Sequence, residues 1–398
     1  MESLPFLTRD YPGIGGRLKT EPDDFVVEEI PLYQPCGEGQ HCYAFVEKRG
    51  QSTYQLIGAV ARALGVLPEA IGYAGLKDAR AVTRQLLSID GVDPARVQSL
   101  ELAGVRVLWV SRHRNKLKLG HLAGNRFRIR VRETDQSARE RAAAVLAELG
   151  RRGVPNYYGE QRFGERQNTH LLGRALLRAD GSEFVREYLG RPQPGERADL
   201  RAARAAVEAG DYAGALAAWP PGLREARWLL AALVKRQGDT GQVASILDKK
   251  LRRLFATAYQ SHLFNQLLAQ RIDTLDRLEM GDVAFIHASG AAFVVQDPAV
   301  EQPRAGRFEI SPSGPLFGPK VLLADGQPGQ RERAALAESG LSAADFRLPG
   351  VRLDGARRPF RVPLTEVEAG WDDGLILQFR LPPGSYATEV LREVMKHD

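Results

Sequence analysis

The chain has 398 residues, a length that accommodates two or three domains and a sizeable hydrophobic core. Hydrophobic residues make up 43% and charged residues 26%, which is close to the globular average and argues against disordered, collagen-like and membrane-spanning classes. With 55 Lys and Arg against 49 Asp and Glu the net charge is +6, a modest excess that identifies no partner by itself.

Apolar periodicity predicts alternating helices and strands in the first part of the chain. A helix is expected over 52–64, followed by a short apolar piece at 70–74, a polar turn and a strand ending at Ile89. Further strands are expected over 105–110 and 126–132, and a helix over 137–149. The strand at 126–132 has the clearest pattern, because its apolar residues alternate with arginines and would occupy opposite faces.

The second part of the chain has a different texture after Gly153. An Ala- and Arg-rich helical region is expected over about 196–268, with a longer helix at 251–268, and strands are expected around Gly290 within 282–296. The Pro- and Gly-rich stretch 298–328 is predicted to be mostly loop, followed by a helix at 331–339. A strand over 374–381 and a C-terminal helix from Thr388 complete a mixed α/β or α+β pattern.

The positive charge is concentrated in one tract, from Leu102 to Arg132. It holds nine cations and no Asp or Glu, which leaves the rest of the chain at 6 − 9 = −3. The cations are Arg106, Arg112, Arg114, Lys116, Lys118, Arg126, Arg128, Arg130 and Arg132. Such a tract is typical of a nucleic-acid-binding face, and the alternative is a solvated basic surface.

Cysteine use and the N-terminal sequence point to the cytoplasm. The only cysteines, Cys36 and Cys42, provide neither a disulfide framework nor a four-cysteine zinc site, and with His41 they match no common zinc spacing, so no metal is expected. The N-terminal residues lack the apolar run of a signal peptide, and no stretch approaches 18 apolar residues, so no membrane association is expected.

No cofactor motif is present. The sequence lacks GxGxxG, HExxH and a complete Walker motif, and the nearest phosphate-loop pattern, at 314–320, contains two prolines that remove backbone donors. The chemistry of this chain therefore favours a reaction without a cofactor, or no reaction.

The segment GYAGLKDARAVTRQ, at 72–85, is the best candidate for a catalytic site. Asp78 lies on its turn beside Lys77 and Arg80, cations that keep a carboxylate ionised as a nucleophile requires. The alternative is an ordinary salt-bridged surface turn.

Several aromatic positions have two interpretations. The segment NYYGEQRFG, at 156–164, is either an RNA-contacting turn or an aromatic domain junction. Phe25 and Tyr386 are candidates for stacking on a base, with core packing as the alternative, and His262 on an apolar helix is expected to be a buried histidine.

The motifs together resemble the TruD family of tRNA pseudouridine synthases. The segments that carry the resemblance, which extends from about Lys19 to Val394, are GLKDARAVTRQ, NYYGEQRFG, KTEPDDFVVEE, HLAGNRF, SGPLFGPK and LPPGSYATEVLREV. The resemblance implies a cofactor-free isomerase that converts a uridine in tRNA, at position 13 in bacterial members, to pseudouridine. It also implies a pseudouridine synthase domain with a central antiparallel sheet (1–152 and 359–398), split by an inserted TRUD domain (153–358).

The resemblance assigns roles to particular residues. Asp78 corresponds to the nucleophile and Lys19 to the lysine that accompanies it. Contacts to the target nucleotide are implied for Phe25, Asn125, Phe127 and Tyr386, where some members have phenylalanine in place of Tyr386. Arg126, Arg128 and Arg130, on the other face of the strand, are expected to hold the RNA backbone. A monomer is the default expectation.

Two other classes remain as alternatives. An RNA-binding or RNA-chaperone protein with a degenerate site would share the basic tract but would not need both Lys19 and Asp78. A tRNA methyltransferase would need a Gly-rich pocket for its methyl donor, which the sequence lacks.

Overall fold

A computed structural model describes residues 4–396 of the chain. The strands are β1 (Phe25–Pro31), β2 (His41–Arg49), β3 (Ile71–Tyr73), β4 (Val82–Asp90), β5 (Val105–His113), β6 (Leu122–Val131), β7 (Val154–Pro155), β8 (Val283–Ile286), β9 (Ala292–Val294), β10 (Ile310–Leu316), β11 (Ala356–Pro359), β12 (Arg361–Val362), β13 (Thr365–Trp371) and β14 (Leu375–Leu381). The helices are α1 (Thr53–Leu64), α2 (Pro94–Gln98), α3 (Ala138–Arg152), α4 (Thr169–Leu177), α5 (Gly181–Leu189), α6 (Ala198–Glu208), α7 (Tyr212–Ala218), α8 (Arg224–Lys235), α9 (Val243–Ile246), α10 (Lys249–Gln270), α11 (Pro298–Gly306), α12 (Gly326–Ser339) and α13 (Ala387–Met395).

The described residues form two compact units, which we call the sheet unit and the inserted unit. The sheet unit consists of 6–154 and 362–396, and the inserted unit consists mainly of 155–361. The inserted unit contains the helices α4–α12 and a small sheet in the order β11-β10-β8-β9.

The large sheet of the sheet unit has the strand order β13-β14-β6-β1-β4-β2-β5, with β3 paired to β4. Its pairs are antiparallel except for β1 with β4. This mixed α/β architecture with a mainly antiparallel central sheet confirms the predicted fold class.

Side-chain alternation gives the sheet two distinct faces near β1 and β6. Phe127 pairs with Val27 and Phe379, and these three side chains share a buried apolar face. Arg126 pairs with Glu28 and Arg380 on the opposite face, which we call the charged face. The predicted alternation of β6 is confirmed, with Ile129 and Val131 fully buried.

Helix α1 shows why the predicted helix boundaries at this point are correct. The Ser52 hydroxyl accepts a hydrogen bond from the backbone N–H of Gln55, and the Gln55 side chain accepts one from the Ser52 N–H. Gly65 ends the helix with a positive φ of 69°, which glycine adopts without strain. Leu56, Val60 and their apolar neighbours pack on β2 and β4.

The prediction of a loop over 298–328 is wrong. This stretch contains the helix α11, the strand β10 and the beginning of α12. Pro298 occupies the first turn of α11, where a missing N–H costs nothing, and Asp297 caps that turn by accepting from the N–H of Ala299. The phosphate-loop lookalike at 314–320 consequently begins inside a strand.

The predicted helical region 196–268 is divided into α6 to α10, and the long helix α10 is confirmed. His262 on α10 stacks on His170 with ring centroids 4.4 Å apart, and burial lowers the pKa of His262 to about 4. His170 is buried and His262 itself is half-buried, so the expectation of a buried histidine at 262 holds only in part. The strands β1, β2 and β13 were not predicted.

Glu393 fixes the beginning of the sheet unit to its last helix. This buried carboxylate accepts hydrogen bonds from the backbone N–H groups of Leu7 and Thr8, each at 2.9 Å, and from the Thr8 hydroxyl at 2.6 Å. We expect Glu393→Ala to lower the free energy of unfolding by about 3 kcal/mol, because it leaves buried donors without an acceptor.

Denaturant unfolding followed by circular dichroism measures this effect. The matched control is Glu140→Ala on the exposed side of α3, expected within about 0.5 kcal/mol of the unmodified chain. Equal losses in both variants would contradict the anchoring role of Glu393.

Candidate active site

Asp78 lies on the loop 75–81 between β3 and β4. A buried ion pair between Lys77 of this loop and Glu29 of β1 fixes the loop to the sheet. Lys77 Nζ lies 2.6 Å from Glu29 Oε2, with the two side chains only 5% and 1% exposed. The backbone N–H of Lys77 donates to the Thr53 hydroxyl at 2.9 Å, and this hydroxyl donates to Gln85 Oε1 at 3.1 Å. The loop is therefore tied to β1, β4 and α1 at the residue before Asp78.

The Asp78 carboxylate has specific donors on both oxygens. Lys19 Nζ donates to Oδ2, and the backbone N–H of Arg80 donates to Oδ1 at 3.0 Å. The side chains are partly exposed, 27% for Lys19 and 37% for Asp78. The carboxylate is thus held in a defined orientation while it remains accessible from solvent.

Opposing effects set the pKa of Asp78. Burial raises it, but the hydrogen bond from Lys19, the backbone N–H groups of Arg80 and Ala79 and the lysine charge outweigh burial, so the pKa lies below its ordinary value of 3.8. Asp78 is therefore ionised at neutral pH, as a carboxylate nucleophile requires.

Lys48 is a second cation at this loop that the sequence did not single out. It is completely buried, and its Nζ donates to the backbone carbonyl of Asp78 at 2.9 Å and to that of Gln51 at 2.5 Å. Burial lowers the pKa of Lys48 to about 8, although the Asp78 carboxylate opposes this shift. A lysine at an alternating position of β2 carries no local signal of this role.

Lys19 reaches Asp78 from a strained segment before β1. Its φ is 55°, in the left-handed region that non-glycine residues rarely adopt. Arg17 and Arg132 exchange backbone hydrogen bonds of 2.8 and 2.9 Å, and the Arg132 guanidinium donates to the buried Asp24 at 2.8 Å. These contacts on both sides of Lys19 hold the segment in place.

Phe25 and Phe127 lie beside the Lys19–Asp78 pair. Lys19 Nζ lies over the Phe25 ring, 4.5 Å from its centroid, and the Phe25 and Phe127 rings meet edge to face at 6.4 Å. Phe127 also contacts Phe379 at 5.4 Å, and both Phe25 and Phe127 are buried. The structure therefore brings four of the predicted site residues together: Lys19, Phe25, Asp78 and Phe127.

Asn125 lies further along β6, opposite Glu29 on one side and Leu381 on the other. Its Oδ1 is buried and has no hydrogen-bond partner in the described structure, which leaves one acceptor for a ligand. Tyr386 follows β14 as the residue before α13 and is 42% exposed. Within residues 4–396, no hydrogen bond or ring contact joins Tyr386 to the other predicted site residues.

The three arginines expected at the RNA backbone differ in their surroundings. All lie on the charged face, opposite to Phe127. Arg126 pairs with Glu28 at 3.1 Å and with Glu366 at 2.8 Å, and Arg130 pairs with Asp372 at 2.8 Å. Arg128 is exposed and has no acidic partner among the described residues.

An alternating row of charges crosses this face from β5 to β13. The tract 102–132 contains no acid in its own sequence. In the folded sheet, however, acids of neighbouring strands form ion pairs with its arginines. In the order in which each side chain forms an ion pair with the next, the row consists of Arg106, Glu47, Arg84, Glu28, Arg126, Glu366 and Arg380.

The segment NYYGEQRFG belongs to the inserted unit, where it contacts residues at the other end of that unit. Asn156 donates from Nδ2 to the carbonyl of Pro359 at 2.9 Å, and its N–H donates to the carbonyl of Phe360 at 2.8 Å. The Arg358 guanidinium lies 4.2 Å from the centroid of the Tyr158 ring. The segment therefore joins the beginning of the inserted unit to its end, which favours the junction over the RNA-contacting turn.

Two further features bear on the predicted class. Cys36 is exposed and Cys42 is buried, both as free thiols, and the described residues contain no group of three metal-ligating side chains. No helix among residues 4–396 is long and apolar enough to cross a membrane.

Comparisons with known proteins agree with this fold. The model of the family tRNA pseudouridine synthase D (TruD) matches residues 3–394. The tRNA pseudouridine synthases D of Geobacter metallireducens and Geobacter sulfurreducens are 51% and 49% identical over 393 residues, covering 98% of this chain and 97% and 96% of theirs. A crystal structure from Methanosarcina mazei, described as TruD, superimposes with a TM-score of 0.86 at 31% identity, covering 99% of this chain and 96% of the other.

The fold and these matches define the class, an isomerase that converts uridine to pseudouridine in tRNA. The chain belongs to the TruD family of these synthases.

The low pKa of Asp78 depends on Lys19. We expect Lys19→Gln to raise the pKa of Asp78, because burial continues to raise it while the strongest donor is lost. Carboxyl ¹³C NMR titration measures the shift, and Arg17→Gln, which removes an exposed cation two residues away, is the matched control.

The pH dependence of folding stability tests the same prediction in a second way, because a pKa that differs between the folded and unfolded states makes stability depend on pH. Because the folded pKa of Asp78 is lowered, its contribution to stability is complete above the unfolded pKa of 3.8 and is lost as the pH falls through the folded value. Lys19→Gln should therefore reduce the loss of stability below pH 3.8. An unchanged Asp78 titration would contradict this account.

Proposed function

We propose that this chain isomerises a uridine of tRNA, at position 13, with Asp78 as the nucleophile and without a cofactor. The observation that carries the proposal is the Lys19–Asp78 ion pair, which joins residues 59 positions apart beside the Phe25 ring. An ionised carboxylate beside an aromatic surface is the arrangement that chemistry on an extruded base requires.

The reaction exchanges one bond of the base for another. The bond from the ribose C1′ to N1 of uracil breaks, the freed base turns, and C1′ bonds to C5, while the C5 proton is lost and N1 gains a proton. The atoms balance without an oxidant or reductant. The role of Asp78 is to supply the negative charge for this exchange, and the role of Lys19 is to hold that carboxylate ionised and oriented.

The remaining predicted residues are proposed to bind the target nucleotide. Asn125 has a buried acceptor oxygen that a base N–H would satisfy, which supports a contact to the uracil. Tyr386 offers an exposed ring for stacking. Phe25 and Phe127 are buried, and this supports a role in shaping the apolar floor under Lys19 and excluding water from it.

The proposal extends to organisation and setting. We propose a pseudouridine synthase domain of residues 1–152 and 359–398, divided by a TRUD domain of residues 153–358. The division of the described chain near 154 and 361 supports these limits. We propose a monomer that acts on tRNA in the cytoplasm, a reducing compartment with which the two free cysteines are compatible.

Asp78→Asn tests the nucleophile. It removes one negative charge with almost no change of shape, so we expect pseudouridine formation to fall by at least about 10³-fold while tRNA binding is retained. Mapping of pseudouridine in tRNA incubated with the purified variant measures the rate and the position.

The matched control is Asp199→Asn, which neutralises an exposed aspartate paired with Arg197 at 2.6 Å in the inserted unit and should leave the rate unchanged. Pseudouridine formation by Asp78→Asn at the unmodified rate would refute the assignment and favour an RNA-binding protein with a degenerate site.

Arg128 and Arg126 lie on the same face of β6, and they allow a cation without an acidic partner to be compared with a cation that has two. We expect Arg128→Ala to reduce the slope of log K against log salt for tRNA binding by about 0.9, the value for one lost phosphate contact. Arg126→Ala should change the slope far less, because Glu28 and Glu366 already neutralise this side chain. Fluorescence anisotropy across a salt series measures both, and equal slopes would contradict the distinction.

A further inference from the structure

The sheet unit contains a second pocket, which we call the histidine pocket, beside the loop 114–121 that joins β5 to β6. Its volume is about 590 Å³, within the range of small-ligand sites. The residues that matter for its chemistry are Tyr33, His41, His113, Lys116, Lys118 and His121. None of them belongs to the site around Asp78.

A hydrogen-bond chain orders one wall of this pocket. The Tyr43 hydroxyl donates to the carbonyl of Asn115 at 2.9 Å, so the contact of 3.3 Å between the Tyr33 and Tyr43 hydroxyls uses the Tyr33 proton. The contact of 2.8 Å between Tyr33 Oη and His121 Nδ1 is then donated by the imidazole. His121 is thereby fixed in orientation, with Nε2 left for a ligand.

The pocket also holds two cations of the basic tract, Lys116 and Lys118, that have no acidic partner among the described residues. Lys118 is exposed, and its side-chain ammonium has no hydrogen-bond or ion-pair partner among the described residues. Lys116 Nζ donates to the backbone carbonyl of Glu69. Arg114 pairs with Glu38, but both side chains are more than 60% exposed, so water and salt screen this pair. The charged face of β6 has the opposite character, because acids pair with Arg126 and Arg130.

An aromatic surface lies beside these cations. The rings of Tyr33 and His113 stack at a centroid distance of 5.1 Å, and the backbone N–H of Cys36 donates to His113 Nδ1 at 3.3 Å. Burial and the neighbouring His41 and Arg114 lower the pKa of His113, which favours the neutral ring. Free cations beside stacked rings form a surface suited to a nucleotide, with the phosphate on the cations and the base on the rings.

The loop 114–121 contacts β3 and Ala74, which directly precede the loop 75–81 that carries Asp78. The backbone N–H of Gly120 donates to the carbonyl of Ala74 at 2.8 Å, and a side chain at Gly72 would collide with the carbonyl of Leu117. Asp78 is four positions after Ala74, so the Cα atoms of these two residues lie within about 14 Å of each other. The pocket is therefore near enough to hold RNA flanking a target at Asp78.

We propose that the histidine pocket binds a phosphodiester of the tRNA, with its adjoining base on Tyr33 and His113, a few nucleotides from the target uridine. The proposal deepens the proposed function and rests on it for the identity of the RNA.

The test removes two exposed cations of the pocket, by R114Q and K118Q together, and measures tRNA binding across a salt series. The measurement is made on D78N protein, so that binding is scored independently of turnover. We expect roughly tenfold weaker binding at 0.1 M salt and a slope reduced by about 1.8, twice the value for one phosphate contact.

The matched control is R201Q with R224Q, which removes the same charge from two exposed arginines of α6 and α8. Equal losses in both double variants would show a general effect of net charge and would overturn the proposal, as would an unchanged slope for the pocket variant. Acetylation of lysines followed by mass spectrometry gives an independent readout, in which tRNA protects Lys118 more than Lys249. Failure of the proposed function would show differently, as tRNA binding by the unmodified chain without pseudouridine formation.

Discussion

The buried ion pair between Lys77 and Glu29 is the contact on which the candidate site depends. Two charges removed from water are stable only when they are paired and their remaining hydrogen-bonding groups are satisfied. Glu29 meets this condition because its other oxygen accepts the backbone N–H of Leu86 at 3.2 Å. The pair thereby joins the loop to two adjacent strands, and Asp78 inherits a fixed position from the sheet although it lies on a loop.

The alternation of β6 separates two functions that the sequence places side by side. Phe127 and its apolar neighbours lie on the face of the candidate site. Arg126 and Arg130 lie on the other face, where Arg126 pairs with Glu28 of β1 and Glu366 of β13, and Arg130 pairs with Asp372 directly after β13. The basic tract therefore contributes less free charge to this face than its sequence indicates. Among the described residues, its cations without an acidic partner are Arg112, Lys116, Lys118 and Arg128. Two of them lie on the loop 114–121, which supports a role of that loop in the proposed RNA binding.

Local pattern predicted α1, β6, α10 and β14, because each buries a face with a regular period. It fails at β10, because the Pro- and Gly-rich composition around Pro312 and Pro315 predicts a loop. Residues 310–312 pair with β8 and residues 313–316 pair with β11. Each half of the strand therefore pairs with a neighbouring strand on one side, and a proline there can lie at an unpaired edge, where it needs no N–H. The contact between Lys19 and Asp78 spans 59 residues, and no periodicity predicts such a pair, so only the resemblance to a family placed them together.

The balance of effects on the pKa of Asp78 favours several donors over a single cation for keeping the carboxylate ionised. A base that enters the site displaces water, and this strengthens the effect of burial, which raises the pKa of the carboxylate. Lys19 and the backbone N–H groups of Arg80 and Ala79 oppose that change, and their effect also grows as water leaves. Lys48 beneath the loop adds a positive charge that solvent cannot screen, since its side chain is completely buried. The site therefore keeps its carboxylate ionised through donors fixed before the substrate arrives, and its chemistry depends on the strands and the strained segment that position them.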